Sequence, residues 1–274
     1  MKSAQKIIKY FAIAFALFII INIFSAILFG LHILADILGL TNNNVVSTQE
    51  MTNLDFENSD ISSLKIKLEV SNLIIKTGDS LKAESNNKNI KCRQEKNQLI
   101  IEENDHNWFS NKNKKGETIV YIPEEMILDK AYIETGAGKL DIEELNTKEL
   151  LLKIGVGKVE IKNLQVLEKT KIEGGVGKVA ILDSELNNLN LNVGVGKFEL
   201  LTKLTGKNKI EAGIGKLDVN LKDEIENYTI DVEKGIGSIN INGNNTIDNT
   251  KYGSGDVLLE VEGGIGSIDI NSKN

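Results

Sequence analysis

Chemically versatile side chains are scarce in this chain. Its 274 residues include one cysteine, one proline, one tryptophan and two histidines, and aromatics make up only 5%. The lone Cys92 excludes an internal disulfide and offers no C-x-x-C pair for metal or redox chemistry. Its expected role is a partly buried thiol in a strand. With His32 and His106 as the only histidines, a Ser-His-Asp or Cys-His centre has little to draw on, and histidine-cluster metal sites are excluded. Carboxylates are abundant enough for a glycosidase pair. Sugar grooves, however, present aromatic platforms, and of the eight aromatics after residue 44 only Phe198 falls in a repeat strand, at an inward parity. The expectation is therefore a protein that is not an enzyme, with no catalytic residue, metal or cofactor.

Net charge narrows the partners. The whole chain carries −7, and setting aside the first 44 residues, with Lys2, Lys6, Lys9 and Asp36, leaves 29 basic against 38 acidic residues. A surface of that sign repels nucleic acid and anionic lipid on average. No nucleic-acid partner is expected.

What is present begins with an apolar run. Three lysines precede Tyr10 to Gly30, which is broken only by Asn22 and Ser25. Twenty-one helical residues span about 31 Å, one bilayer core. No small-x-small cleavage site precedes a polar mature start, so an uncleaved anchor is expected rather than a signal peptide. No Lys or Arg follows until Lys65, and the positive-inside bias puts residues 1–9 in the cytoplasm and everything beyond the span outside. The expected organisation is a transmembrane helix with an interfacial extension over 10–40, a polar linker over 41–60, an irregular β region over 61–130 and a repeat region over 131–274. The expected location is a single-pass protein of the cell membrane with an extracytoplasmic C-terminal domain.

The repeat region is the most regular part. GAGKLDI, GVGKVEI, GVGKVAI, GVGKFEL, GIGKLDV, GIGSINI and GIGSIDI begin at Gly136, Gly155, Gly175, Gly194, Gly213, Gly235 and Gly264. The first five follow one another by 19, 20, 19 and 19 residues, and the last two gaps widen to 22 and 29. A fixed period of this size marks units that bury their apolar faces only by stacking on neighbours. Within one unit, Leu150, Leu152, Ile154 and Val156 alternate with other residues as a half-buried strand does. The next apolar residue is Val159, so the parity breaks across Gly157-Lys158. Glycine tolerates positive φ at such a break. The predicted corners are thus Gly138, Gly157, Gly177, Gly196, Gly215, Gly237 and Gly266.

Nineteen extended residues cover about 60 Å of path, too long for one strand. They suit a coil of two or three short strands that returns one strand spacing higher. The predicted fold is all-β: a single-stranded β-solenoid of about 19-residue Gly-x-Gly repeats behind a transmembrane helix. Stacked antiparallel hairpins are the runner-up, with returns in KNLQVLEKT and SELNNLNL. On this parity Ala137, Val156, Val176, Val195, Ile214, Ile236 and Ile265 point inward. Lys234 also falls at an inward position, and a local bulge is expected to turn it out.

Two outward columns are candidate surfaces. Lys139, Lys158, Lys178, Lys197 and Lys216 stack at one corner, continued by Ser238 and Ser267. Two residues on lie Asp141, Glu160, Ala180, Glu199 and Asp218. Either the acids neutralise a lysine ladder that keeps the surface soluble, or the lysines form a stripe for an anionic wall polymer. The leading glycines, from Gly136 to Gly264, form a second column, read as a bare backbone strip for a partner or simply as repeat economy. Phosphate-loop chemistry is excluded, because Lys158 is followed by Val159 and Leu152 stands where the first loop glycine belongs. The calcium nonapeptide fails as well, with Val179 and Ile268 in its aspartate slot.

Ahead of the repeats, Ser71 to Ile75 reads as a decayed unit, and polar loops are expected around Trp108 and over 240–256. An N-terminal span, an L-x-I run at Leu64 and Ile66, a loop, the V-Y-I-P strand ending at Pro123 and the glycine repeats together resemble the "putative-adhesin" (β-strand repeat) domain of bacterial envelope proteins, over Leu64 to Ile270. The resemblance implies a membrane-anchored envelope protein, with some relatives encoded beside envelope-stress systems. Its motifs are architectural and transfer no catalytic residue. Two functions follow as expectations: an interaction or structural role in the envelope, linked to envelope stress, or a surface adhesin that binds an anionic wall polymer. The partners expected are the membrane, through the N-terminal helix, and an envelope protein or wall polymer.

Overall fold

Alternating apolar residues form strands here, and what those strands pair with decides the architecture. The computed structural model describes residues 50–56, 60–104 and 116–273. The apolar segment 10–40, most of the linker, His32, His106 and Trp108 lie outside them. The described residues contain 23 strands and one short 3-10 turn, Ile225–Asn227. They belong to one compact unit, Ser47 to Asn274.

One coil shows the rule. Leu145–Ile154 runs along two sides, kinked by a register shift between Thr147 and Glu149. After Gly155 the chain returns as Val156–Lys162 and turns at Asn163, whose φ is 47°. It then starts the next coil as Leu164–Glu173. Leu152 pairs with Ile133 below and Ile172 above, and Ile161 pairs with Ile142 and Ile181, all in parallel. The third side is short: Gln165 and Val166 pair with Glu185 and Leu186. This is the expected single-stranded solenoid, with three sides to a coil. The hairpin alternative is overturned, since the repeat strands of successive coils pair with one another in parallel.

The core is a set of stacked columns. Leu140, Val159, Val179, Phe198, Leu217, Ile268 and Ile239 form one, and Ile142, Ile161, Ile181, Leu200, Val219 and Ile270 another, all buried. Each such side chain contributes about 1.5–3 kcal/mol on leaving water. The decayed unit is confirmed as a member, with Leu73 and Ile75 beside Leu140 and Ile142.

Chain order and stacking order differ at both ends. Coils are numbered by sequence from Ser63–Leu68 with Asn72–Thr77 as coil 1 and Gln98–Glu103 with Glu117–Ile122 as coil 2. Coil 3 begins at Ile127, coil 7 pairs Lys207–Glu211 with Ile214–Glu224, coil 8 pairs Tyr228–Glu233 with Ile236–Ile241, and coil 9 pairs Val257–Glu262 with Ile265–Lys273. Coil 1 lies between coils 2 and 3. Coil 9 lies between coils 7 and 8. Only at the outer coils does pairing become antiparallel: Lys82–Ser85 and Ile90–Glu95 cover coil 2, and Asn244–Asn245 and Thr250–Tyr252 cover coil 8. The segment 240–256, expected to be a surface loop, therefore includes an end cap. Likewise 61–130 is not a separate irregular region: it holds two full coils, and position 130/131 falls inside the strand Ile127–Thr135.

Candidate functional site

The glycine corner is where sequence parity and structure part. Ile154 is buried as expected, but the strand break falls at Gly155, ahead of the expected Gly157-Lys158. Val156 therefore turns out with Lys158 and Glu160, while Val159 and Ile161 remain inside. The second glycines lie just inside the following strand. Gly157, Gly177, Gly196, Gly215, Gly237 and Gly266 have φ between 132° and 153°, as the sequence required, whereas Gly138 does not share this conformation. A Cβ on Gly177 would lie 2.0 Å from the Gly157 carbonyl oxygen, and one on Gly175 would lie 1.7 Å from that of Gly155. Both glycine columns thus exist because backbones of successive coils pass too close for a side chain. The leading column is not a strip left open for a partner.

The column expected inside is the main correction. Val176, Val195, Ile214, Ile265 and Ile236 are 45, 45, 51, 50 and 74% exposed. They pair in register, one per coil, along a single ridge. Val156 and Ala137, further along, are half-buried. A void of about 20 Å³ lies beneath the ridge near Val193, Ala212, Gly263 and Ile268, room for one water at most.

The lysine column is placed as expected. Lys139, Lys158, Lys178, Lys197 and Lys216 are exposed and stack in register, followed by Ser267 and then Ser238. Lys158 Nζ lies 3.1 Å from Glu160, Lys197 lies 3.6 Å from Glu199 and 3.4 Å from Asp218, and Lys216 lies 2.8 Å from Asp218 and 3.4 Å from Asp269. Lys158 and Lys162 hold the Glu160 carboxyl below the usual range, and Asp218 and Asp269 push Lys216 up. Lys178 stands between Lys158 and Lys197, with Ala180 where the other coils carry an acid, and like Lys139 it makes no ion pair among the described residues.

On the other flank of the ridge a column runs Glu134, Lys153, Glu173, Asn192, Glu211, Glu262 and Glu233. Glu173 pairs with Lys171 at 2.7 Å and Lys153 at 3.6 Å, and Lys209 bridges Glu211 and Glu262 at 2.7 Å each. The ridge is thus apolar, with lysines on one side and mainly glutamates on the other.

Three further positions complete the picture. Cys92 is half-buried in Ile90–Glu95, and desolvation pushes its thiol up to about 11. Lys234 stays out of the core, its ammonium donating to Asn245 Oδ1 at 2.6 Å and to the Thr246 carbonyl. Sequence reasoning missed Glu103. Between the two strands of coil 2 the sequence has residues 104–116 in place of a short glycine corner. The Glu103 carboxylate accepts the N–H groups of Glu69, Val70 and Ser71 at 2.8, 3.0 and 3.1 Å, and also the Ser71 hydroxyl and the Asn87 amide. The only signal was a second acid, Glu103, at the inward parity of Leu99 and Ile101 at the end of the strand QLIIEE. Among the described residues no group of three or more His, Cys, Asp or Glu is placed to hold a metal.

The family model described as Toastrack DUF4097 matches residues 61–269, nearly the whole solenoid. The chain belongs to the Toastrack family. That region almost coincides with the 64–270 resemblance read from the motifs. Similar solved structures include a "putative cell adhesion protein" of Clostridium sporogenes, 21% identical, covering 82% of this chain and 98% of its own, with a TM-score of 0.40. A "putative adhesin" of Bacteroides fragilis is 14% identical, over 81% and 98%, with a TM-score of 0.43. A "putative lipid binding protein" of Parabacteroides distasonis is 15% identical, over 82% and 96%, at 0.37. No curated protein matches this Toastrack chain.

Proposed function

We propose that this Toastrack protein is a non-enzymatic, single-pass component of the bacterial cell envelope, whose extracytoplasmic solenoid serves interaction or structure within an envelope-stress response. The observation that carries the anchored reading is the lysine-flanked apolar run from Tyr10 to Gly30, followed by a polar linker. Among the described residues no helix is long and apolar enough to cross a membrane, and segment 10–40 lies outside them. The solenoid supports the rest of the reading. Its interior is filled with aliphatic columns, and its function is carried by the regular columns on its surface. Adhesion through an anionic polymer is the weaker alternative, because Lys158, Lys197 and Lys216 already hold carboxylates.

The test is topological. A cysteine introduced between residues 41 and 60, in a Cys92→Ser background, is expected to react in intact cells with a membrane-impermeant thiol reagent. N-terminal sequencing is expected to find residues 1–10 still attached. A mature protein that begins near residue 40 would remove the anchor, and pull-down of the intact protein from its own membrane then identifies what the solenoid holds.

A further inference from the structure

The exposed ridge is anomalous for a soluble surface. Scattered aliphatic residues need no explanation, but five β-branched side chains stacked in register form a continuous apolar line. At one strand spacing per coil the line runs for about 19 Å between its end Cα atoms. The coils themselves do not require it, since the core columns lie on the opposite parity. An Asn or Thr at these places would stack equally well.

We propose that this ridge is the contact through which two copies of the chain pair side by side, with their solenoid axes parallel. The argument is charge complementarity. Nearest the ridge stand Lys178, Lys197 and Lys216 on one side and Glu173, Glu211 and Glu262 on the other. Beyond them lie their own partners, Asp218 and Asp269 on the lysine side and Lys171 and Lys209 on the glutamate side. Each flank thus presents columns of alternating sign that a uniform polyanion does not match. A two-fold axis along the ridge turns each copy's lysine flank onto its partner's glutamate flank. A two-fold axis across the ridge would instead set lysines against lysines and glutamates against glutamates. An anionic lipid surface suits the lysine flank but is repelled by the glutamate flank. A second copy satisfies both.

The geometry makes a sharp demand: with the axis along the ridge, every ridge residue meets its own symmetry mate. Val176 faces Val176, and Val195 faces Val195. The parallel arrangement also sends both N-termini the same way, as two chains in one bilayer require. The contact is small beside the 1,200–2,000 Å² or so of a standard stable interface. It therefore rests on the proposed anchor for its strength, because two chains held in one membrane meet at high effective concentration.

The test uses the full chain in its own membrane, with Cys92→Ser and single cysteines at Val176, Val195 or Ile214, under mild oxidation. Each is expected to give several-fold more disulfide-linked homodimer than Glu185→Cys, an exposed control on the third side. The charge argument is tested separately. A copy with Lys178, Lys197 and Lys216 changed to Glu, and another with Glu173, Glu211 and Glu262 changed to Lys, are each expected to lose self-pairing through Val195→Cys. Mixed, they are expected to regain it with one another, which also shows that both are folded. Homodimer no greater than the Glu185→Cys control would overturn the proposal. So would preferential linking of Val195→Cys to Ile265→Cys, the signature of antiparallel ridges, or failure of the mixed pair. Recovery of a truncated chain outside the membrane would overturn the anchor instead, so the two failures are distinguishable.

Discussion

Glu103 and Gly177 solve the same problem in opposite ways. In a stacked coil every corner N–H needs an acceptor in the adjacent coil, because a buried donor without one costs about 1–3 kcal/mol. Along the repeats, glycine lets backbone carbonyls come close enough: Val176 donates to Gly155 at 2.8 Å and Val195 to Gly175 at 2.8 Å. At coil 1 the carboxylate of Glu103 supplies the acceptor instead. Glu103→Gln replaces one oxygen with a donor aimed at donors, and is expected to lower unfolding stability by roughly 2–4 kcal/mol. A urea midpoint equal to that of the unmodified protein would show that these N–H groups find other acceptors. Gly177→Val combines a φ of 142° with a Cβ 2.0 Å from a carbonyl oxygen. It is expected to cost at least about 1–3 kcal/mol, with Lys178→Ala within about 0.5 kcal/mol of the parent. Equal midpoints for both variants would contradict this account of the corner.

Between neighbouring coils the outward columns matter mainly through charge. Glu160 is held below the usual carboxylate range by Lys158 and Lys162, Glu173 by Lys171 and Lys153, and Asp129 by Lys148. Glu102 is held down by Lys65 and Arg93. In each case the folded carboxyl binds its proton less readily than the unfolded one. The stabilisation is therefore fully present above the ordinary carboxylate pKa, about 4, and is lost as pH falls through the folded values. The groups are largely solvated, so each contributes little and salt screens it. The expected result is a urea midpoint flat from about pH 6 to 9 that declines below about pH 4.5, with a smaller decline in 1 M salt. A midpoint that rises on acidification would mean that repulsion among the excess carboxylates outweighs these pairs.

The inserted coils give the molecule its closure. A solenoid built strictly in chain order ends on its terminal coils, which fray first. Here the last strands, Val257–Glu262 and Ile265–Lys273, lie inside the stack, and the outermost coils carry antiparallel covers that leave little parallel edge open. Deleting residues 257–274 removes the buried Leu259, Val261, Ile268 and Ile270 and takes away the strands through which coil 7 is joined to coil 8. At about 1.5–3 kcal/mol for each side chain, that loss approaches the whole stability of an ordinary domain. Hydrogen exchange is expected to lose protection across Tyr228–Ile241 as well as Lys207–Glu224, and to keep it around Leu140–Ile181. Protection retained at Tyr228–Ile241 would rule out the inserted order.

The amino-acid sequence was sufficient for the solenoid itself, for its period and for the stacked lysines. Those depend on local alternation and on a repeat length that few folds accommodate, and Leu150, Leu152, Val159 and Ile161 carry both signals unaided. The ridge was not legible, because Val156 continues the alternation of Ile154 on paper. Only the tight passage at Gly155, forced by the carbonyl oxygens of the coil beneath, turns it outward. Nor could alternation show that coil 9 slips between coils 7 and 8. Their apolar patterns are nearly interchangeable, so the order is set by which insertion lets the antiparallel segments cover the end of the stack. Glu103 was hidden for a related reason: an acid at a strand end reads as solvated until the three backbone donors it serves, 32 to 34 residues away in sequence, are brought beside it.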